Sequence, residues 1–361
     1  MNGVKIKPSQ LYSALSALHR AGLSPFIWGP PGIGKSEIVK NFAQSNGYDF
    51  IDVRLSMVDP TSLMGVPVPV HNDRNLIVRW SKPWFLDHNP ENKTVLFLDE
   101  FNSAPPSVMA AAYQLILDKR VGEHVLDPVK VFIVAAGNGA NDKGVTYNMP
   151  KPLSNRLVHL YLQVDAGDFL NYAMEHNFNR NVVAFLSFKK DKIFHFDPKL
   201  QTDAFPTPRS WKFTSDILNV HGDNPDDDLL AAMVAGCVGE AAQLELFQYM
   251  KVAAKLPDTK KILLSEQINK EKFTSDDLGL KYGLVVSLCY SLRDIFSDEK
   301  LSKAEKTRAN DNFMRYLLDN IPEKEMVVFA GKVVLGQMKL KIDVKTPAWQ
   351  EFVKNFAKYV L

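Results

Sequence analysis

Over the first 163 residues, near-continuous apolar runs alternate with stretches of helical spacing, which predicts a parallel sheet covered on both faces by helices. Phe26-Ile27-Trp28 reads as a buried strand and residues 50–55 as a second. Residues 94–98 and 131–136 are apolar at almost every position, as strands buried on both faces are, and 156–162 is a fifth candidate. Residues 9–20 repeat at helical spacing, as do 37–45 with Ile38, Val39, Phe42 and Ala43. Val66-Pro67-Val68-Pro69-Val70 and Leu76-Ile77-Val78-Arg79-Trp80 flank the polar His71-Asn72-Asp73-Arg74-Asn75, the pattern of a β-hairpin. A second, shorter hairpin is expected within 121–130.

From about residue 164 the pattern turns helical, over 170–177, 182–188, 210–220 and 228–254. Residues 257–273 are mixed and charged and read as a connector. Three or four further helices are expected in 276–361, including an amphipathic one at 349–360. The predicted organisation is therefore an αβα domain at 1–163, a helical domain at 164–258 and a C-terminal helical region at 259–361. No internal repeat or low-complexity segment interrupts it.

Gly29-Pro30-Pro31-Gly32-Ile33-Gly34-Lys35-Ser36 sits between the first strand and the helix after it, and fits the phosphate-binding loop GxxxxGK[ST] at every fixed position. Such a string can be a mere glycine-rich turn, but strand before and helix after supply the context in which it binds phosphate. The glycines let backbone N–H groups turn inward, and the helix N-terminus adds partial positive charge. Lys35 is placed to reach the β and γ phosphates of ATP, and Ser36 to put its hydroxyl on Mg²⁺.

The strand at 94–98 runs into Asp99-Glu100. Acids at a strand end are often only solvated. At the carboxyl edge of a sheet that also carries a phosphate loop, Asp99 reads as the carboxylate that holds Mg²⁺ through water. Glu100 reads as the group that polarises the attacking water. The next strand ends in Ala135-Ala136-Gly137-Asn138, and the Asn138 amide could orient that water or touch the γ phosphate; a turn cap is the simpler alternative. Arg156, in Pro152-Leu153-Ser154-Asn155-Arg156, precedes the last strand and is expected at the edge of the sheet. Arg209, in Pro206-Thr207-Pro208-Arg209-Ser210-Trp211, opens a helix of the second domain. Taken singly, either arginine is an ordinary solvated side chain.

In this order, the five motifs resemble the AAA+ ATPases, and more narrowly their MoxR-like branch, over about residues 20–255. The resemblance implies an AAA+ P-loop NTPase core followed by an all-α lid. It makes Lys35 and Ser36 part of Walker A, Asp99 and Glu100 of Walker B, and Asn138 sensor 1. It also implies Arg156 as an arginine finger acting on a neighbouring subunit's nucleotide, and Arg209 as sensor 2. AAA+ proteins of this kind are typically hexameric rings that use ATP hydrolysis to remodel another macromolecule. The hairpin at 66–80 resembles the insertion of the MoxR-like branch. It would bring His71, Arg74, Arg79 and Trp80 to a pore or partner. A partner carrying a von Willebrand factor A domain is frequent in that branch. Ser103 stands where many relatives carry arginine, so no communication role transfers to it.

Composition narrows the reading slightly. With 43 basic and 41 acidic residues, the formal charge of +2 disfavours a nucleic-acid motor, the main alternative. A small-molecule P-loop kinase would give no reason for Asn138, Arg156 and Arg209. A non-hydrolysing scaffold would give none for Glu100. No apolar run has the length to span a bilayer, and MNGVKIKPSQ lacks a signal-peptide core. Cys237 and Cys289 lie in apolar helical stretches and are expected as unpaired packing residues, which suits a reducing cytoplasm. The eight histidines show no metal-ligand spacing.

Overall fold

The computed structural model describes residues 3–72, 75–87, 89, 91–139, 147–196, 202–266, 273 and 275–360. They fold as two units, Met1–Asp165 and Ala166–Leu361. In the first, strands β1 (Lys5–Ile6), β2 (Pro25–Trp28), β3 (Asp49–Arg54), β4 (Pro67–Asn72), β5 (Asn75–Trp80), β6 (Thr94–Asp99), β7 (Arg120–Val121), β8 (His124–Val125), β9 (Val131–Gly137) and β10 (Val158–Leu162) are interspersed with helices. The helices are α1 (Pro8–Ala21), α2 (Lys35–Ser45), α3 (Pro60–Met64), α4 (Pro106–Asp118) and α5 (Lys151–Ser154).

Six strands form one sheet in the order β1-β10-β2-β9-β6-β3, every pair parallel. Side chains alternate across it. Leu96 and Leu98 of β6 and Ile133 and Ala135 of β9 join the apolar face of α4, with Val108, Met109, Ala112, Leu115 and Ile116. Phe132 of β9 points to the opposite face, where its ring lies 6.0 Å from Phe42 of α2. Both faces are thus covered, and burial of each large apolar side chain contributes roughly 1.5–3 kcal/mol. That is why β6 and β9 read as unbroken apolar runs. Strand β1, only two residues long, was not foreseen; it pairs with β10 and forms the edge. Strand β10 is therefore internal to the sheet.

The expected hairpin forms from β4 and β5, and a second from β7 and β8. Gly65, at φ 84°, closes the base of the first against Ser81, whose hydroxyl accepts from Val66 N–H at 2.8 Å. A residue with a Cβ would overlap the Ser81 carbonyl there.

The second unit is helical: α6 (Ala166–Glu175), α7 (Arg180–Phe188), α8 (Pro208–His221), α9 (Asp228–Val238), α10 (Glu240–Ala253), α11 (Thr259–Leu264), α12 (Leu278–Ser297), α13 (Lys303–Asn320), α14 (Lys324–Lys332) and α15 (Pro347–Val360). The continuous periodicity over 228–254 is split at Gly239, whose φ of 84° ends α9 and lets α10 start anew. Helix α11 falls inside the stretch read as a connector. Helices on both sides of residue 258 pack together, with α12 against α7 and α10. Cys237 and Cys289 are both free thiols. No helix among the described residues is long and apolar enough to cross a membrane.

Candidate functional site

Strand order brings the motifs together. Strand β9 lies between β2, which feeds the phosphate loop, and β6, which ends in the acid pair. All three run parallel, so their carboxyl ends open on one edge of the sheet, where open α/β sheets bind ligands. Gly29 N–H donates to Gly137 O at 3.3 Å, closing the gap between the loop and the end of β9.

The loop turns through Gly32 and Gly34, at φ 77° and 93°, a region that glycine enters without strain. Helix α2 then starts at Lys35, and no side chain caps its first turn. Pro30, Pro31 and Ile33 complete the loop, with Ile33 buried beneath it. Lys35, only 8% exposed, donates through Nζ to Gly29 O (2.6 Å), Pro30 O (3.1 Å) and Asn138 Oδ1 (3.0 Å). Ser36 Oγ donates to Asp99 Oδ2 at 2.7 Å. The structure thus joins Lys35 to Asn138 and Ser36 to Asp99, residues separated by 103 and 63 positions in the chain.

Glu100 takes a left-handed backbone, φ 54°, at the turn that leaves β6. Non-glycine residues adopt this conformation uncommonly, and its cost is of order 1–3 kcal/mol where the surroundings impose it. Glu100 N–H donates to Asp99 Oδ1 (2.8 Å), and Glu100 Oε2 accepts from the Ser56 hydroxyl. Asp99 thus uses one oxygen on Ser36 and the other on the Glu100 backbone.

Three residues of the site had no role assigned from sequence: Asp52, Ser56 and Asn102. Strand β3 pairs with β6 so that Arg54 stands opposite Asp99, which brings Asp52 and Ser56 to the acid pair. Burial holds the Asp52 carboxyl above its ordinary range, and the charges of Asp99 and Glu100 add to this against the opposing Arg54. Asp52 Oδ1 is buried without a hydrogen-bond partner. The only local sign was a polar residue at alternate positions of a strand, which also fits plain surface exposure.

A carboxyl whose folded pKa is raised keeps its proton longer in the folded than in the unfolded chain. Its contribution to stability therefore falls as pH rises from near its ordinary 3.8 through the raised value. Asp52→Asn is expected to melt higher than the parent at pH 7, with the gap closing as pH falls below about 4. Thermal melts over a pH series measure this, and a gap that widens on acidification would contradict it.

This oxygen set fits Mg²⁺. A hydroxyl, the Asp99 carboxylate and the orphaned Asp52 oxygen are hard ligands for a cation that prefers one or two carboxylates plus water and phosphate. Among the described residues, no group of three His, Cys, Asp or Glu is arranged to cage a metal by itself.

Arg156 is exposed, two residues before β10. Val158 is in register with Pro25, the first residue of β2. Arg156 therefore lies toward the amino edge of the sheet, whereas the phosphate loop leaves the carboxyl edge. Arg209 is exposed in the first turn of α8, behind a Thr207–Ser210 capping box. A cation there opposes the helix dipole, so helix stability does not account for it. Of the hairpin residues, Arg74 lies outside the described residues and His71 is exposed. Arg79 is ion-paired to Glu123 at 2.9 Å, and Trp80 N–H donates to the same carboxylate at 2.9 Å. The Arg79 guanidinium and the Trp80 backbone thus meet the β7–β8 hairpin, with the Arg79 side chain still exposed, and apolar side chains share the exposed surface: Val68, Val70, Leu76 and Val78 are 43%, 40%, 65% and 59% accessible.

Residues 25–143 match the family described as ATPase family associated with various cellular activities (AAA). Midasin of Dictyostelium discoideum is 26% identical over 153 residues, 40% of this chain and 3% of that protein. Midasin of Giardia intestinalis is 28% identical over 143 residues, 38% of this chain and again 3% of the relative. The chain thus spans about 3% of the length of these curated relatives. A solved RuvB point mutant from Thermotoga maritima is 17% identical with a TM-score of 0.35, covering 71% of this chain and 73% of its own. From β2 past the end of β9, this chain carries an AAA ATPase-family domain.

Proposed function

We propose that the chain is an ATP-hydrolysing AAA+ protein of the MoxR-like kind, assembled as a ring, expected to be hexameric, that remodels a protein partner. The observation that carries the ATPase reading is the pair of contacts joining Lys35 to Asn138 and Ser36 to Asp99. In the proposed reaction Lys35 exchanges its neutral oxygens for β and γ phosphates, and the first turn of α2 offers its N–H groups to the same charge. Mg²⁺ on Ser36 and Asp99 would supply charge neutralisation between the phosphates. Glu100, released from Ser56, takes the proton of the attacking water while Asn138 orients it. Arg209 serves as the cation of the sensor 2 position.

The ring and the partner rest on the resemblance, helped by two features. Arg156 is exposed and lies away from its own loop, as a residue serving a neighbour must. The β4–β5 hairpin exposes apolar side chains on a stem pinned by Ser81 and Glu123, which suits contact with a polypeptide, a von Willebrand factor A domain among the options. Replacing Val68, Val70, Leu76 and Val78 by serine should leave basal ATP turnover within about twofold, because none of them touches the site, while partner-stimulated turnover is lost. Steady-state ATPase assays with and without partner decide this. Equal loss of both activities would make the hairpin structural, and stimulation by DNA in place of protein would favour a nucleic-acid motor.

A further inference from the structure

Asn102 is 3% exposed in the turn that follows β6, two residues beyond Glu100. Its side chain crosses to the end of the neighbouring strand. Nδ2 donates to Asn138 O at 2.7 Å, and Oδ1 accepts from Asn138 N–H at 3.1 Å. Because a backbone N–H only donates and a C=O only accepts, these partners dictate which way the amide points. The β6–β9 register ends at Leu98 opposite Ala135. Past that point the Asn102 amide replaces the ladder, holding both backbone groups of Asn138 as another strand would.

The surroundings are built to this amide. A Cβ on Gly137 would overlap Asn102 Oδ1 and press to 2.9 Å from Phe26 Cζ, so the residue before Asn138 must be glycine for the amide to lie there. The backbone of Asn102 is itself held, its carbonyl accepting from Tyr147 N–H at 2.7 Å. Ser103 N–H donates to Glu100 O at 2.9 Å, which binds the turn to the acid pair.

We infer that Asn102 is the positioning residue for Asn138. It makes the acid pair and the amide one rigid piece, so that Glu100 and Asn138 address the same water and Asn138 Oδ1 stays on Lys35. The inference rests on the reading of Asn138 given under the proposed function. Its physical basis is that misplacing a reacting group by ~1 Å costs ~10²-fold in rate, and the clamp is what fixes Asn138 where the sheet has ended.

The test is a double-mutant cycle on the full chain with Asn102→Asp, Asn138→Ala and the double variant, reading kcat, nucleotide Kd and Tm. Asn102→Asp keeps the side chain's shape and its acceptor but turns a carboxylate oxygen toward the Asn138 carbonyl. It is expected to lower kcat by ~10–10²-fold with Kd for ATP within ~3-fold, because Lys35 keeps its contacts to Gly29 O and Pro30 O and only its contact to Asn138 depends on the clamp. In the Asn138→Ala background it should add less than ~2-fold, since its effect acts through that side chain. Losses that multiply, or Asn102→Asp turnover within ~2-fold of the parent, would overturn the inference. Parent-like turnover by Asn138→Ala alone would overturn the underlying reading of that residue, and the inference with it. If Asn102→Asp does not fold, Gly137→Ala replaces it in the same cycle. Its Cβ displaces Oδ1 directly, and the same kcat-selective, non-multiplying loss is required.

Discussion

Glu100→Gln is expected to bind ATP as tightly as the parent and to turn it over ~10²–10⁴-fold more slowly. Glutamine has the size of glutamate and can still accept the Ser56 hydroxyl that now engages Glu100 Oε2. The left-handed turn at residue 100 depends on the backbone and on Asp99 Oδ1, which the change leaves alone. Lys35, Ser36 and Asp99 keep their contacts, so the nucleotide loses none of its compensating charge. What the amide cannot do is take a proton from water. Calorimetric titration with ATP and a steady-state phosphate-release assay separate the two effects. Turnover close to the parent's would remove Glu100 from the chemistry, and a parallel loss of affinity would mean that it supports binding instead.

Arg156→Ala is expected to lower turnover by ~10³–10⁵-fold, the range for a guanidinium that meets charge developing on a transferred phosphoryl group. Strand register supports assigning this role across subunits. Residue 156 precedes the start of β10, whose first residue is level with Pro25, and Trp28 ends β2 on the way to the phosphate loop. At about 3.3 Å per residue the two ends of this short strand are roughly 10 Å apart, and Arg156 and the loop extend beyond opposite ends of it. The variant should retain nucleotide affinity, because its own loop is intact. Turnover per subunit of the parent should rise with protein concentration as subunits associate. Parent-like rates for Arg156→Ala would return this residue to the solvated surface.

How far these elements could be read from sequence followed the range of the forces involved. Strands β6 and β9 were legible because burial on both faces leaves no polar position to confuse the period. The phosphate loop was legible because its chemistry is packed into eight consecutive residues. Strand β1 was not, since two residues carry no period and its existence depends on β10, more than 150 residues away. The break at Gly239 was hidden because α9 and α10 are each periodic and only the backbone conformation separates them. Asp52, Ser56 and Asn102 escaped for a related reason. Each acts on a neighbouring strand or strand end, and strand order is not a local property. Arg79 and Trp80 show the same limit: Glu123 on the second hairpin accepts from the Arg79 guanidinium and the Trp80 backbone N–H, a contact more than 40 residues away that no local pattern announced.

Mixing two inactive variants tests most directly the claim that this chain hydrolyses ATP at sites shared between subunits. Lys35→Ala lacks the charge that receives the phosphates, and Arg156→Ala lacks the cation proposed to serve its neighbour. Neither alone should turn over appreciably. Combined at equal concentration, they form interfaces where an intact Lys35 meets an intact Arg156, and phosphate release should rise well above the sum of the separate rates. A mixture no faster than that sum, together with parent turnover that does not change with protein concentration, would contradict the shared site and the ring with it.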